Sequence, residues 1–160
     1  MAKKITNQSR PDSKKNPLIG KSRQQRYKHV LARYKKAMDD GYYIEAVALM
    51  DSVICDRLES LLIEITQNNA CVNGNLSRLI DGLKKNNSDF TNELNLTIDN
   101  ICDWKYKRNV AVHEIAKLQA VAPLRDFNTK YAENELFAKE GKTLFRKIDN
   151  EIRKYKKLKK

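Results

Sequence analysis

An all-α protein is predicted for this 160-residue chain from three features. Only five glycines and three prolines interrupt it, Leu, Ile, Ala, Lys and Glu recur in long stretches, and apolar residues return at helical spacing with few turn signals between them. The length is that of one domain, large enough to bury a core without metal or disulfide staples.

Residues 1–21 combine Lys, Asn, Ser and Pro with little to bury, and read as a flexible basic arm ahead of a helical domain at 22–160. Ser22 is the expected N-cap of a first helix, in which Tyr27, Val30, Leu31, Tyr34 and Met38 share a face until Asp40-Gly41 offers a stop. His29 points away from that stripe and is expected at the surface.

The segment "YYIEAVALMDSVICDRLESLLIEI" carries the strongest helical pattern, with Ile44, Val47, Ala48, Ile54, Leu58, Leu61, Leu62 and Ile65 on one broad face. It is expected to be the central core helix. Asp51 falls inside that apolar face, where an ionised carboxylate is costly unless a cation or hydrogen-bond donor meets it. Such a residue either borders a site or lies at the margin of the stripe and reaches water.

"QNNACVNGN" breaks the pattern, and a short helix follows from Ser77 through Leu79, Ile80 and Leu83. Ser88 is the expected cap of another long helix, whose stripe runs Phe90, Leu94, Ile98, Ile101, Trp104. Pro123 and "QAVAPLRDFNTK" read as a connection to a last amphipathic helix with Leu136, Phe137, Leu144, Phe145, Ile148, Ile152 and Tyr155 inward and mostly Lys and Arg outward. A glycine at 141 weakens that helix by about 1 kcal/mol relative to alanine, which points to a close helix contact there.

The formal charge of +12 is concentrated at the ends: residues 1–36 hold twelve Lys/Arg against one acid, and 142–160 hold nine against two, whereas 37–141 are net acidic. Ends of this kind suit phosphate backbones or an acidic protein partner, and equally a solubilising tail with a solvated helix face. Cys55, Cys71 and Cys102 lack metal-ligand or redox spacing and read as reduced structural thiols. No apolar run reaches the ~20 residues of a membrane span, and the polar N-terminus lacks the apolar core of a signal peptide, so a cytoplasmic protein is expected, without membrane contact.

The stretch "KYKRNVAVHE" draws chemical attention. Asn109 and His113, four apart, share a helix face; a helix beginning near Arg108 would let that side chain fold back toward them and would present its N-terminus to a phosphate. Histidine titrates near neutral pH and can move a proton, and a guanidinium can clamp a phosphate and steady its developing charge. RNA carries its own nucleophile, the 2′-hydroxyl, so these parts suffice for cleavage. No Cys/His cluster supplies the ligands of a catalytic zinc, and no GxSxG, GxxxxGK[ST] or GxGxxG is present, so neither metal nor cofactor is expected.

With Arg108, the polar Asn109 directly after it, and His113, the sequence resembles the HEPN family (higher eukaryotes and prokaryotes nucleotide-binding), whose active members carry an R-x(4–6)-H motif. "GYYIEAVALMDSVICDRLESLL" also looks like the early core helix of bacterial members, and the resemblance spans roughly residues 24–155. It implies an up-and-down bundle, here of four to five helices, acting as a metal-independent RNA endonuclease, often a toxin or phage-defence effector. His113 would transfer protons, Arg108 would hold the scissile phosphate, Asn109 would fix the geometry, and Asp51 could support them as a second layer. Products would carry 2′,3′-cyclic phosphate and 5′-hydroxyl ends.

The resemblance also implies a homodimer with facing motifs. Physics points the same way, since the reaction wants an acid and a base while each chain offers one plausible histidine. Lys105, Lys107, Lys156, Lys157, Lys159 and Lys160 are the candidate RNA contacts. The competing reading is a non-catalytic helical adaptor that docks on nucleic acid or on a protein regulator such as a nucleotidyltransferase-type antitoxin, with Arg108 and His113 as buried, paired structural residues. DNA binding ranks below both, because no recognition helix emerges.

Overall fold

A computed structural model describes residues 16–68, 75–114 and 127–159, except for the side chains of His113, Glu114 and Phe127. It is all-helical, with α1 at Pro17–Asp39, α2 at Tyr43–Thr66, α3 at Leu76–Lys85, α4 at Asn92–Glu114 and α5 at Phe127–Leu158. Residues 1–15 of the expected arm, Cys71, Lys160 and the connection around Pro123 lie outside the described residues.

Helix α1 begins earlier than the sequence pattern indicates. The cap is Asn16, whose side chain accepts from the Leu18 amide at 3.0 Å, with Pro17 in the first turn, so residues 17–21 are helical and Ser22 lies inside the helix. An Asn-Pro pair satisfies an orphan amide and pre-sets φ, which starts a helix without apolar periodicity. The stop at Asp40-Gly41 is where expected, with Gly41 at a φ of 78° that a side chain would resist. His29 is exposed, as expected.

Helix α2 is the central element and packs against each of the other four helices. Burial on several sides draws Ala46, Met50 and Val53 into the core beside Val47, Ile54, Leu58, Leu61 and Leu62, while Ala48 is exposed, contrary to its expected place on the inner face. Helix α3 is capped by Asn75, whose side chain accepts from the Arg78 amide, slightly ahead of the expected start at Ser77. Gly82 lets it approach α2 so closely that an added Cβ would stand 2.9 Å from a Leu62 methyl.

For α4 the cap is Thr91, whose hydroxyl accepts from the Leu94 amide at 3.2 Å, and not Ser88. Phe90, Leu94, Ile98, Ile101 and Trp104 all face the core as the stripe predicts. On α5, Phe145, Ile148, Ile152 and Tyr155 are buried, whereas Leu136 is 62% exposed on the far side from Ala138 and Gly141.

Side-chain pairs fix an up-and-down arrangement. Helices α1 and α5 run antiparallel, since Tyr34 donates to the Ala138 carbonyl at 3.1 Å and Tyr27 meets Phe145 edge to face at 5.8 Å. Helix α4 is also antiparallel to α5: Trp104 Nε1 donates to the Phe137 carbonyl at 2.9 Å and Phe90 packs on Tyr155 at 5.4 Å. Gly141 makes the first of these possible, because a Cβ there would stand 2.7 Å from the Trp104 ring and 3.1 Å from Met50.

Where α1, α2 and α5 meet, Tyr27 donates to Asp56 and Arg57 faces Asp149 at 2.8 Å, with Arg153 on the second carboxylate oxygen at 2.9 Å. The Arg57–Asp149 approach is a charge contact without hydrogen-bond alignment. Burial, reinforced by the bond to Asp56, raises the Tyr27 hydroxyl well above its ordinary pKa.

Candidate active site between helices α2 and α4

Trp104 and Ile101, with no exposed surface, anchor the middle of α4, and Ala111 is buried two turns beyond Trp104. That anchoring carries the RNVAVH stretch onward as continuous helix. Arg108 therefore lies within α4: the motif extends the helix, and no helix begins near Arg108 to present an N-terminus to a phosphate.

Arg108 reaches across to α2. Its Nη2 donates to Asp51 Oδ1 at 2.7 Å and its Nη1 donates to Asn109 Oδ1 at 2.8 Å. Arg108 and Asp51 side chains are each 24% exposed, so the pair sits at the edge of the core. The acid embedded in an apolar face thus finds a cation on another helix instead of turning to water. Arg108 Nε is buried and has no protein partner.

Cys55, one turn along α2 from Asp51, borders this pair with a half-buried thiol pushed up to about 12. Burial is the largest cause, the Asp51 charge adds to it, and the Arg108 charge opposes it. Its neighbourhood was legible only as the i, i+4 spacing from Asp51. Cys55 and Cys102 are both free thiols.

Arg108, Asn109 and Asp51 are therefore brought together. The backbone of His113 lies one turn beyond Asn109 near the end of α4, and its side chain is outside the described residues. Below Arg108, Lys107 is tied to Glu140 of α5 at 3.1 Å, next to the Trp104–Gly141 contact.

Among the described candidate RNA-contacting lysines, Lys105, Lys156 and Lys159 are engaged with other partners. Lys105 is 8% exposed, donates to Ser77 of α3 at 3.0 Å and stands 4.3 Å from the centre of the Tyr106 ring. Lys156 donates to Ser60 at 3.1 Å and lies 3.7 Å from Glu64; Lys159 is paired with Asp89 at 2.6 Å. Lys157 is exposed.

Among the described residues no group of three or more His, Cys, Asp or Glu is placed to hold a metal ion, and no helix is long and apolar enough to cross a membrane. No protein-family model, curated protein or solved structure matches the chain.

Proposed function

We propose that the protein is a metal-independent RNA endonuclease of HEPN type, working in the cytoplasm as a toxin or phage-defence effector. The observation that supports this reading best is the fixing of Arg108 by Asp51 and by Asn109, the latter one helical turn from His113. A guanidinium carries five N–H groups, so these two bonds leave one N–H on each terminal nitrogen to meet a phosphate. An arginine held before substrate arrives loses little freedom on binding, which favours stabilisation of charge in the transition state.

In this reading His113 takes the proton from the 2′-hydroxyl as its oxygen attacks the adjacent phosphorus, and the P–O5′ bond breaks. The leaving 5′-oxygen takes a proton from an acid, supplied by His113 of a second copy in a homodimer with a composite site. The products are a 2′,3′-cyclic phosphate and a 5′-hydroxyl. The test is incubation with total RNA in EDTA, wild type beside His113→Ala, with analysis of product ends. Cleavage by wild type alone, leaving cyclic phosphate ends, is expected; persistent cleavage by His113→Ala or loss of wild-type activity on chelation overturns the reading.

One observation favours a second reading. Arg108 already has an acidic partner in Asp51, as a structural residue of a non-catalytic adaptor would. An adaptor docking on nucleic acid, or on a protein regulator such as a nucleotidyltransferase-type antitoxin, would bind RNA in a salt-dependent way and leave every substrate intact.

A further inference from the structure

Parts of the two basic stretches, residues 21–35 of α1 and 142–153 of α5, become neighbours in the fold. The pairs Tyr34–Ala138 and Tyr27–Phe145 step seven residues down α1 and seven up α5, so the helices run side by side in antiparallel register. Lys21, Lys28 and Lys35, spaced by seven, occupy one flank of α1, about 10 Å apart along its axis. That flank borders α5, because the opposite flank is turned to α2, where Arg33 pairs with Glu45 at 2.6 Å.

On α5, Lys142 and Arg146 line the facing flank, with Arg153, paired to Asp149, further along it. Lys142 stands 5.0 Å from the centre of the Tyr34 ring, and the charge of Arg146 reaches the Tyr34 hydroxyl. The result is two rows of cations bordering one groove, with Tyr27, Tyr34 and Phe145 beneath.

Of these cations Arg153 is paired with an acid, Asp149. Helix α1 has no acidic residue before Asp39. Asp149, on the groove side of α5, is already held by Arg57 and Arg153. Lys21, Lys28, Lys35 and Arg146 are exposed. Facing rows of like charge repel, and a polyanion lying between them relieves that repulsion while releasing its own counterions.

We infer that the α1–α5 groove binds the phosphate backbone of nucleic acid. It is a holding surface built from α1 and α5, separate from the Arg108–Asp51 pair between α2 and α4. Binding here does not depend on whether the protein cleaves, and the test keeps the two apart by using a 2′-O-methyl RNA that lacks the attacking hydroxyl.

Fluorescence anisotropy is measured with that RNA as a labelled oligonucleotide of about 20 nucleotides, long enough to span the groove, and with single-stranded DNA of the same length, over a series of salt concentrations. The groove variant Lys28→Gln/Lys35→Gln/Arg146→Gln is compared with a charge-matched control, Lys36→Gln/Lys85→Gln/Lys147→Gln. The groove variant is expected to bind both oligonucleotides about tenfold more weakly or worse, with a salt slope shallower by about 0.7 for every phosphate it no longer neutralises. The control should remain within about twofold of wild type.

Lys28→Gln/Lys35→Gln, which leaves α5 unchanged, repeats the test if the triple variant loses helicity by circular dichroism. Equal weakening in groove variant and control overturns the inference, as does undiminished binding by the groove variants. Failure of the wild type to bind either oligonucleotide at low salt, including the case where it binds only anionic vesicles, also overturns it. Failure of cleavage alone touches only the nuclease reading.

Discussion

Arg108 of α4 and Asp51 of α2, 57 positions apart in sequence, are joined at 2.7 Å at the edge of the core. The bond ties the helix carrying the candidate motif to the central helix of the fold. Removing either partner leaves the other partly desolvated and unpaired, and with each side chain a quarter exposed the destabilisation should be about 1–2 kcal/mol. Asp51→Ala and Arg108→Ala measured by urea unfolding, together with the double variant, should give a coupling energy of about 1 kcal/mol. Additive effects would mean that the pairing contributes nothing.

Asp51→Asn is the more specific probe of activity. It preserves the shape and one acceptor for Arg108 but removes the charge that holds it. If the nuclease reading is right, RNA cleavage should fall by about tenfold or more with little change in RNA affinity, because the affected arginine acts mainly in the transition state. A change confined to affinity would place Arg108 in binding only.

Gly141→Ala sets two effects against each other. Alanine improves helix propensity by about 1 kcal/mol, but its methyl would intrude on Trp104 and Met50, and overpacking typically costs about 1–3 kcal/mol. A net destabilisation of about 1 kcal/mol is expected. Trp104 is the sole tryptophan, so its emission should shift in the variant and report the disturbance directly.

The Cys55 thiol, pushed up to about 12 mainly by burial, remains protonated far above neutral pH. Alkylation at about pH 8, followed residue by residue by mass spectrometry, should be much slower at Cys55 in folded protein than in urea. The linkage has a definite sign. Because the folded pKa lies above the unfolded one, Cys55 contributes its full stabilisation below the ordinary thiol value of 9.0, and that contribution is lost as the pH rises toward about 12. Cys55→Ser should flatten this part of the pH dependence measured by chemical unfolding.

Much of the fold is legible where periodicity governs it. The stripe from Phe90 to Trp104 is buried as read, and the lone glycine at 141 marks a close helix crossing. Caps are less legible because several competent residues compete: "NNSDFT" offers five polar cap formers, and Thr91 is the one used, directly after Phe90 has docked on Tyr155. Asn16-Pro17 likewise displaces Ser22 through local chemistry that an apolar stripe does not record.

At the candidate site, the apolar surroundings of Asp51 already called for a partner, and the motif already singled out Arg108. That each answers the other is a tertiary fact with no local signal. The lysines show the same limit in reverse, since charge counting locates Lys105 and Lys159 without revealing Ser77 and Asp89 beside them.

Because α2 touches all four other helices, no long helix can detach without stripping cover from it. Amide protons in the middle of α2 should therefore be the last to exchange with deuterium, and their exchange should track the opening of the whole molecule. Such coupling would let a ligand that grips one side of the bundle tighten the other side through a shared spine.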